Sequence, residues 1–363
     1  MLLKRIFHDR ILIITFIIVL FLGFFKLPKM ADIDLKTIIS LLNLLFCVKI
    51  MENKGYLNFL AYKISKGIHS SRQLTFKFAI LSFFCSMLVT NDIAILTLIP
   101  IFLVIANLHQ MKKIYPITLI TIAANLGSAV TPFGNPQNLY LYNHFDVSLR
   151  EFFAASAILG SVSLLLLLLF TLFAEKLELG SKGLDEYRAD ERHAVLFLIT
   201  LLIAILGILS IIPIWLSLTA TICFILCDDK KVIFQIDYSL IFIFIGFFFA
   251  VSSLKQIPFF TQLISAICNG NYSTYFTTIL VSQLISNVPA AVLMSSYSSA
   301  FLPVFLGANV GGLGTMIASL ANLLALKQYN KDENADMKEF VVTFSKINFL
   351  LLILLGGIML MFF

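Results

Sequence analysis

The chain has 363 residues, 60% of them hydrophobic and only 13% charged, with a formal net charge of +6; its mean hydropathy is +0.97. Soluble domains carry roughly 25% charged and about 45–50% apolar residues, so the composition excludes a soluble globular domain and describes a polytopic membrane protein surrounded by lipid. The positive charge does not point to nucleic acid: no basic run interleaved with aromatics occurs, and Lys and Arg collect in the cytoplasmic loops of membrane proteins.

In chain order, "MLLKRIFHDR" followed by "ILIITFIIVLFLGFF" imitates a secretory signal, but "KLPKMADID" offers no small-residue cleavage site. It reads as a retained first span. Full spans need about 20 apolar residues, and candidates run at 11–27, 35–51, 115–142, 152–174, 194–212, 213–227, 239–254, 305–326 and 339–363. Residues 73–106 and 274–304 are each too short for two crossings with a loop between them, and polar clusters interrupt their centres: "VTND" at 89–92 and "ISNVP" at 285–289. Both read as re-entrant helical hairpins. Each follows an amphipathic stretch, 55–73 or 255–271, expected to lie in the interface. The charged run 175–193 reads as a linker. The five cysteines lie mostly in apolar stretches without accompanying ligands, which suits packing and not a metal site.

With the N-terminus in the cytoplasm and nine full spans, the C-terminus lies outside, and the inside loops hold eighteen Lys and Arg against five outside. That asymmetry supports a multi-pass protein of a prokaryotic cell (inner) membrane in this orientation. The hairpins then enter from opposite sides. The expected fold is all-α: a first repeat at 1–174, a linker and connecting span at 175–212, and an inverted second repeat at 213–363.

Aligning "AANLGSAVTPFGNPQNLYLY" (123–142) with "GANVGGLGTMIASLANLLAL" (307–326) pairs Asn125 with Asn309, Gly127 with Gly311, Thr131 with Thr315 and Asn138 with Asn322. The tips "SMLVTND" (86–92) and "SQLISNV" (282–288) pair Asn91 with Asn287 and Thr90 with Ser286. Paired asparagines inside apolar spans point to two broken helices and two tips meeting at a midplane site, as in secondary transporters. In "TPFGNPQN", Asn135 and Pro136 resemble an N-cap and first-turn proline restarting a helix beyond Gly134. Ser319 is expected to cap the second restart. Half-helix N-termini favour an anion, and carbonyls freed by the breaks favour a cation. The candidate substrate site comprises Thr90, Asn91, Asn125, Thr131, Gly134, Asn135, Asn138, Ser286, Asn287, Pro289, Asn309, Thr315, Ser319 and Asn322. Asp92, with Asn91 and Asn287, is the candidate for the coupling ion. It is the one carboxylate expected at mid-membrane, where a charge costs at least about 2.5–3.5 kcal/mol, so it must be paired, hydrogen-bonded or protonated during part of a cycle.

At these residues the chain resembles the ion-transporter superfamily, and "LVTNDIAILTLIP" (88–100) with "NLGSAVTPFGNPQN" (125–138) is similar to its arsenite-permease and citrate-transporter branch. The resemblance spans nearly the whole chain. Its symporter branch carries Ser-Asn-Thr at both tips, binding sodium and substrate carboxylate. Here the tips read Thr90-Asn91-Asp92 and Ser286-Asn287-Val288, so Val288 removes a hydroxyl ligand and Asp92 adds a titratable one. The resemblance implies a dimerising scaffold, hence a homodimer, and a transport part that moves like an elevator.

The reading is a secondary active transporter for a small anion, a di- or tricarboxylate, coupled to H+ or Na+. It implies no cofactor, and no metal apart from sodium. Arsenite or oxyanion efflux and Na+/H+ antiport are the alternatives on the same fold. An embedded enzyme is disfavoured: aspartyl chemistry needs two carboxylates, and HExxH, GxSxG and DDxxD are all missing. A passive channel would not need paired half-sites.

Overall fold

The computed structural model describes residues 10–179 and 194–363. Among these, everything regular is helical except one antiparallel bridge, Ser70 with Glu178. Helix starts follow the side chains that can satisfy first-turn N–H groups. Asp34 accepts from Thr37 N–H at the head of α2 (Leu35–Lys54), following α1 (Arg10–Phe25). Ser70 does the same for α4 (Ser71–Val89), and Ser148 for α8 (Leu149–Thr171). Gly55, at a φ of 71°, ends α2 in the left-handed conformation open to glycine and turns the chain into the short α3 (Tyr56–Ser65).

The helices form two sets. In the first, α1 packs on α12 (Tyr238–Lys255), and α2 packs on α9 (Ala194–Ile208) and α10 (Ile214–Asp228). Polar ties fix their directions. Asn43 donates to Ser217 at 2.6 Å, and Lys54 pairs with Asp228 at 3.1 Å. Asn53, at the same end, meets Gln235 on the short α11 (Val232–Gln235). Helix α12 therefore starts at this end and finishes at the other, where Ser252 holds Lys29 N–H and the Asp32 carboxylate. Helices α9 and α10 match the spans expected at 194–212 and 213–227, but have 15 residues each, about 22 Å at 1.5 Å per residue.

The second set holds α4, α5 (Asn91–Leu108), α6 (Ile114–Ser128), α7 (Pro136–His144) and α8. Its other members are α14 (Asn271–Ile285), α15 (Asn287–Ser295), α16 (Phe301–Val310), α17 (Leu320–Tyr329) and α18 (Met337–Met359), with α13 (Pro258–Ile267) lying before them. Helix–turn–helix pairs stand near both expected places, but the second ends at Ser295 and the broken helix expected from 305 already begins at Phe301; their direction is legible from contacts. Ser82 donates to Ile120 O, and Thr131 to Met87 O, so α4 and α6 run side by side in the same sense. The tip at Thr90 is thus level with the break after Ser128, and α7 continues nine residues beyond it. The first hairpin turns back partway along the broken helix.

Arm length would not have shown this. Helices α4 and α5 have 19 and 18 residues, about 27–28 Å each, joined by a single residue. Length therefore does not forbid two crossings, contrary to the expectation for 73–106. By length and composition alone these arms count among five described helices able to cross a membrane, with α8, α12 and Met337–Phe362.

The second hairpin repeats the arrangement from the other end. A Cβ on Gly307 would meet Thr278 and one on Gly311 would meet Ser282, and Thr315 donates to Gln283 O, so α14 runs with α16 and its tip, Ser286, is level with the second break. Lys113, heading α6, pairs with Asp332 beyond the end of α17 at 2.7 Å, so the two broken helices run in opposite directions. The expected linker 175–193 is described only to Leu179. There it is docked: Ser71 N–H donates to Leu177 O and Leu179 N–H to His69 O, both at 2.9 Å.

Candidate functional site

Both breaks are built by asparagine. In the first, Asn135 Oδ1 accepts from Asn138 N–H at 2.8 Å with Pro136 in the first turn, as expected of a cap and helix restart. Asn138 Nδ2 reaches back to the carbonyls of Ala129 and Thr131, at 3.0 and 3.1 Å. Carbonyls released at the end of α6 are thereby satisfied inside the protein, as an apolar surrounding demands. Asn322 does the same in the second break, donating to Gly312 O and Thr315 O, both at 3.1 Å.

The breaks are also bonded to each other. Asn125 Nδ2 donates to Asn322 Oδ1 at 2.8 Å, and Asn309 Nδ2 to Asn138 Oδ1 at 2.8 Å. Asn135 Nδ2 donates to Asn309 Oδ1 at 3.2 Å, and Ser319 Oγ to Asn125 Oδ1 at 3.2 Å. All six residues are at most 5% exposed. Each bond in one half has its counterpart at the aligned positions of the other. Ser319 corrects one expectation: its hydroxyl does not cap α17 but crosses to Asn125, and Thr315 instead caps the 3-10 turn Met316–Ala318 through Ala318 N–H.

The tips close on this centre with matching backbones. Thr90 has φ 73° and ψ 151°, Ser286 φ 77° and ψ 154°. That region is almost confined to glycine and costs a side chain about 1–3 kcal/mol. Asn91 donates to Asn125 Oδ1 at 3.0 Å. Asn287 makes no side-chain hydrogen bond among the described residues, although it is 3% exposed and a Cβ on Gly312 would meet its amide nitrogen at 2.8 Å.

The expected site residues thus separate. Asn125, Asn135, Asn138, Asn309, Asn322, Thr131, Thr315 and Ser319 are engaged with protein partners. The Thr90 and Ser286 hydroxyls, the Asn287 amide and the Asp92 carboxylate have no hydrogen-bond partner among the described residues. Gly134 is there for packing, because a Cβ would run into Ser128 O. Pro289 sits in the first turn of α15 and is partly buried.

Two residues escaped the sequence reading. Gln283 donates to Gly311 O and Leu313 O and accepts from Thr315 N–H, securing the second break. Ser128 accepts from Asn135 at 3.0 Å. Gln283 had a signal, an amide in an apolar run three residues before a tip; Ser128 had only its place in the quoted run. Among the described residues no three His, Cys, Asp or Glu side chains cluster as metal ligands would.

The two breaks and two tips bring together amides, hydroxyls and helix N-termini, with one ionisable side chain, Asp92, at a tip. Together they can hold an oxyanion through N–H and O–H groups, and a cation through Asp92 and hydroxyl oxygens.

A family model described as citrate transporter matches residues 2–301. An uncharacterised transporter of Methanocaldococcus jannaschii is 32% identical over 304 residues, covering 82% of each chain. Inner membrane protein YbiR of Escherichia coli is 29% identical over 90% of each. The silicon efflux transporter LSI3 of rice (Oryza sativa subsp. japonica) is 26% identical over 45% of this chain and 34% of that protein. The crystal structure of the Alcanivorax borkumensis YdaH transporter shares the fold, with a TM-score of 0.54 at 13% identity over 90% of this chain and 84% of that one.

Proposed function

The chain belongs to the citrate transporter family, and from that premise we propose that it is a secondary active transporter importing a small di- or tricarboxylate with protons or sodium ions. It is a membrane transport protein; the substrate and the coupling ion are the proposed part. One observation supports it: two oppositely directed broken helices are bonded to each other, and at the two tips beside them, among the described residues, Thr90, Asp92, Ser286 and Asn287 keep side chains without hydrogen-bond partners. The engaged asparagines hold the breaks, and the open groups receive the cargo.

The tips 86–92 and 282–288 and the breaks 125–138 and 309–322 carry no Lys or Arg, so in this reading the substrate's charge is balanced by half-helix dipoles and co-transported cations. Each negative charge imported against 100 mV costs about 2.3 kcal/mol. A dianion therefore travels with at least two cations merely to break even. Asp92 receives a proton during the cycle, and Val288 leaves the second tip short of a hydroxyl for sodium. In this reading the helix sets are a dimerising scaffold and a transport part built as an inverted repeat, sliding as an elevator. The end bearing Lys54, Lys113 and Lys230 faces the cytoplasm of a cell membrane.

A second reading has its own support. A site without fixed positive charge also suits a neutral, hydroxyl-rich oxyacid, and LSI3 is named for silicon efflux. Oxyanion or oxyacid efflux on the same fold follows from it.

The test is uptake into proteoliposomes of radiolabelled carboxylates, arsenite, phosphate and silicic acid, under a pH gradient alone and a sodium gradient alone. A di- or tricarboxylate should accumulate under the pH gradient, and Asp92→Asn should abolish that accumulation while sparing exchange. Accumulation driven only by sodium, with Asp92→Asn merely weakening sodium affinity, would make Asp92 a sodium ligand. Export of arsenite or silicic acid without carboxylate uptake would establish the second reading.

A further inference from the structure

At the end of the molecule opposite Lys54, a cavity of about 200 Å³ lies between the two helix sets. One wall carries Tyr140 and His144 of α7 with Val292 and Ser296 of α15; the other carries Asp32, Asp34, Ser252 and Lys255. His144 is exposed, whereas Tyr140 and Ser295 are 3% and 4% exposed. The imidazole therefore stands at the mouth of a buried hydroxyl chain, with both ring nitrogens engaged by protein.

That chain is continuous. His144 Nε2 lies 3.2 Å from Ser295 O, and Nδ1 lies 3.1 Å from Tyr140 Oη. Tyr140 Oη is 2.9 Å from Ser295 Oγ, which in turn reaches Val292 O at 3.1 Å. A carbonyl only accepts, so Nε2 carries hydrogen in either state. With a neutral ring, Ser295 donates to Tyr140, and Tyr140 donates to Nδ1. With a proton on Nδ1, the order reverses: Nδ1 donates to Tyr140, Tyr140 to Ser295, and Ser295 to Val292 O. In the neutral state Val292 O still accepts from Ser296 Oγ at 3.0 Å. Both protonation states leave every group paired, so the site can take up and release a proton without breaking a buried bond.

We propose that His144 is a proton-binding site on the seam between the two helix sets, where the cavity wall sets Lys255 against its imidazolium and Asp34 and Asp32 in its favour. Helices α15 and α16, packed against α7, bring no charged side chain, and Lys36 of α2 lines a different cavity. Partial burial and Lys255 outweigh Asp34, so protonation from the solution at this end works against the present position of α7 and α15 on α2 and α12, and release of the proton restores it. This rests on the transport reading only in giving the motion a purpose; the site itself is tested without substrate.

Histidine-labelled protein in detergent is titrated by NMR, with His144 assigned by its loss in His144→Gln. His144 should titrate between about pH 5 and 8, with a midpoint lower by about half a unit or more in Asp34→Asn and higher in Lys255→Gln. Asn at position 34 keeps a capping oxygen, so α2 is preserved. In parallel, labelling of Ser296→Cys is followed in a background lacking the natural cysteines, each rate divided by that in His144→Gln at the same pH. The ratio should rise several-fold on acidification through the His144 midpoint. A midpoint unmoved in both charge variants, or a ratio flat with pH, overturns the proposal. Both effects in a protein that transports none of the tested solutes would sustain the proton site and overturn the carboxylate reading. Carboxylate uptake with neither effect would do the reverse.

Discussion

Asn91 and Asn287 occupy aligned positions at the two tips and differ in what they hold. Asn91 is bonded to Asn125 at 3.0 Å, while the Asn287 amide is open. Alanine at either position should abolish or strongly reduce uptake. Only Asn91→Ala should also destabilise the protein, by about 1–3 kcal/mol, since it strips a bond from a buried network. Uptake kinetics with thermal unfolding in detergent make the comparison. Near-normal uptake by both variants would move the site elsewhere. The asparagine pairing was legible in the sequence because amides are rare in apolar spans. Which amides are engaged was not, since that depends on partners 170 or more residues away.

At the scale of elements, the one-residue tips concentrate strain. Glycine accepts the backbone angles of Thr90 at little cost, so Thr90→Gly should raise the unfolding temperature while weakening transport through the lost hydroxyl. A variant less stable than the wild type would show that the hydroxyl, not the backbone, governs the tip. A second element-level tie is the clasp of Lys113 and Asn107 on Asp332. Burial alone would raise the Asp332 carboxyl. Hydrogen bonds from Lys113, from Asn334 N–H and from Asn107, with the Lys113 charge, outweigh it and hold the group below its ordinary 3.8. A lowered folded value stabilises the protein above the unfolded value, and the gain is lost as pH falls through the folded one. Lys113→Gln should therefore lower the unfolding temperature at pH 7, and the gap to wild type should close below about pH 4. A gap constant down to pH 3 would mean that the clasp acts by packing alone.

For the whole molecule, the opposite directions of the broken helices place Lys113 at one end and Asp146, just beyond α7, at the other. Single cysteines at these positions should be labelled by impermeant reagents from opposite sides of the membrane, Lys113→Cys from the cytoplasm. Labelling from the same side would remove the inverted arrangement and the transport reading with it. The third position suited to such mapping, Asp185, lies outside the described residues.

The sequence by itself determined the membrane class, the helix positions, the two tips and the two breaks. Each depends on local chemistry: apolar runs long enough for lipid, and Asn, Pro and Gly where a buried helix stops and restarts. Asn135 and Pro136 announced their cap and first turn in adjacent letters. Ser319, at the aligned position, carries the same type of cue yet turns its hydroxyl to Asn125, because a partner from the other half lies within reach. The depth of the first tip was likewise a tertiary decision. Arms of 19 and 18 residues fit a crossing or a re-entrant turn equally well, and only the packing of α4 along α6 fixes where Thr90 stops. His144, Tyr140 and Ser295 carry no sequence signal as a group. They become a chain only because antiparallel broken helices bring α7 of one half against the hairpin arm of the other.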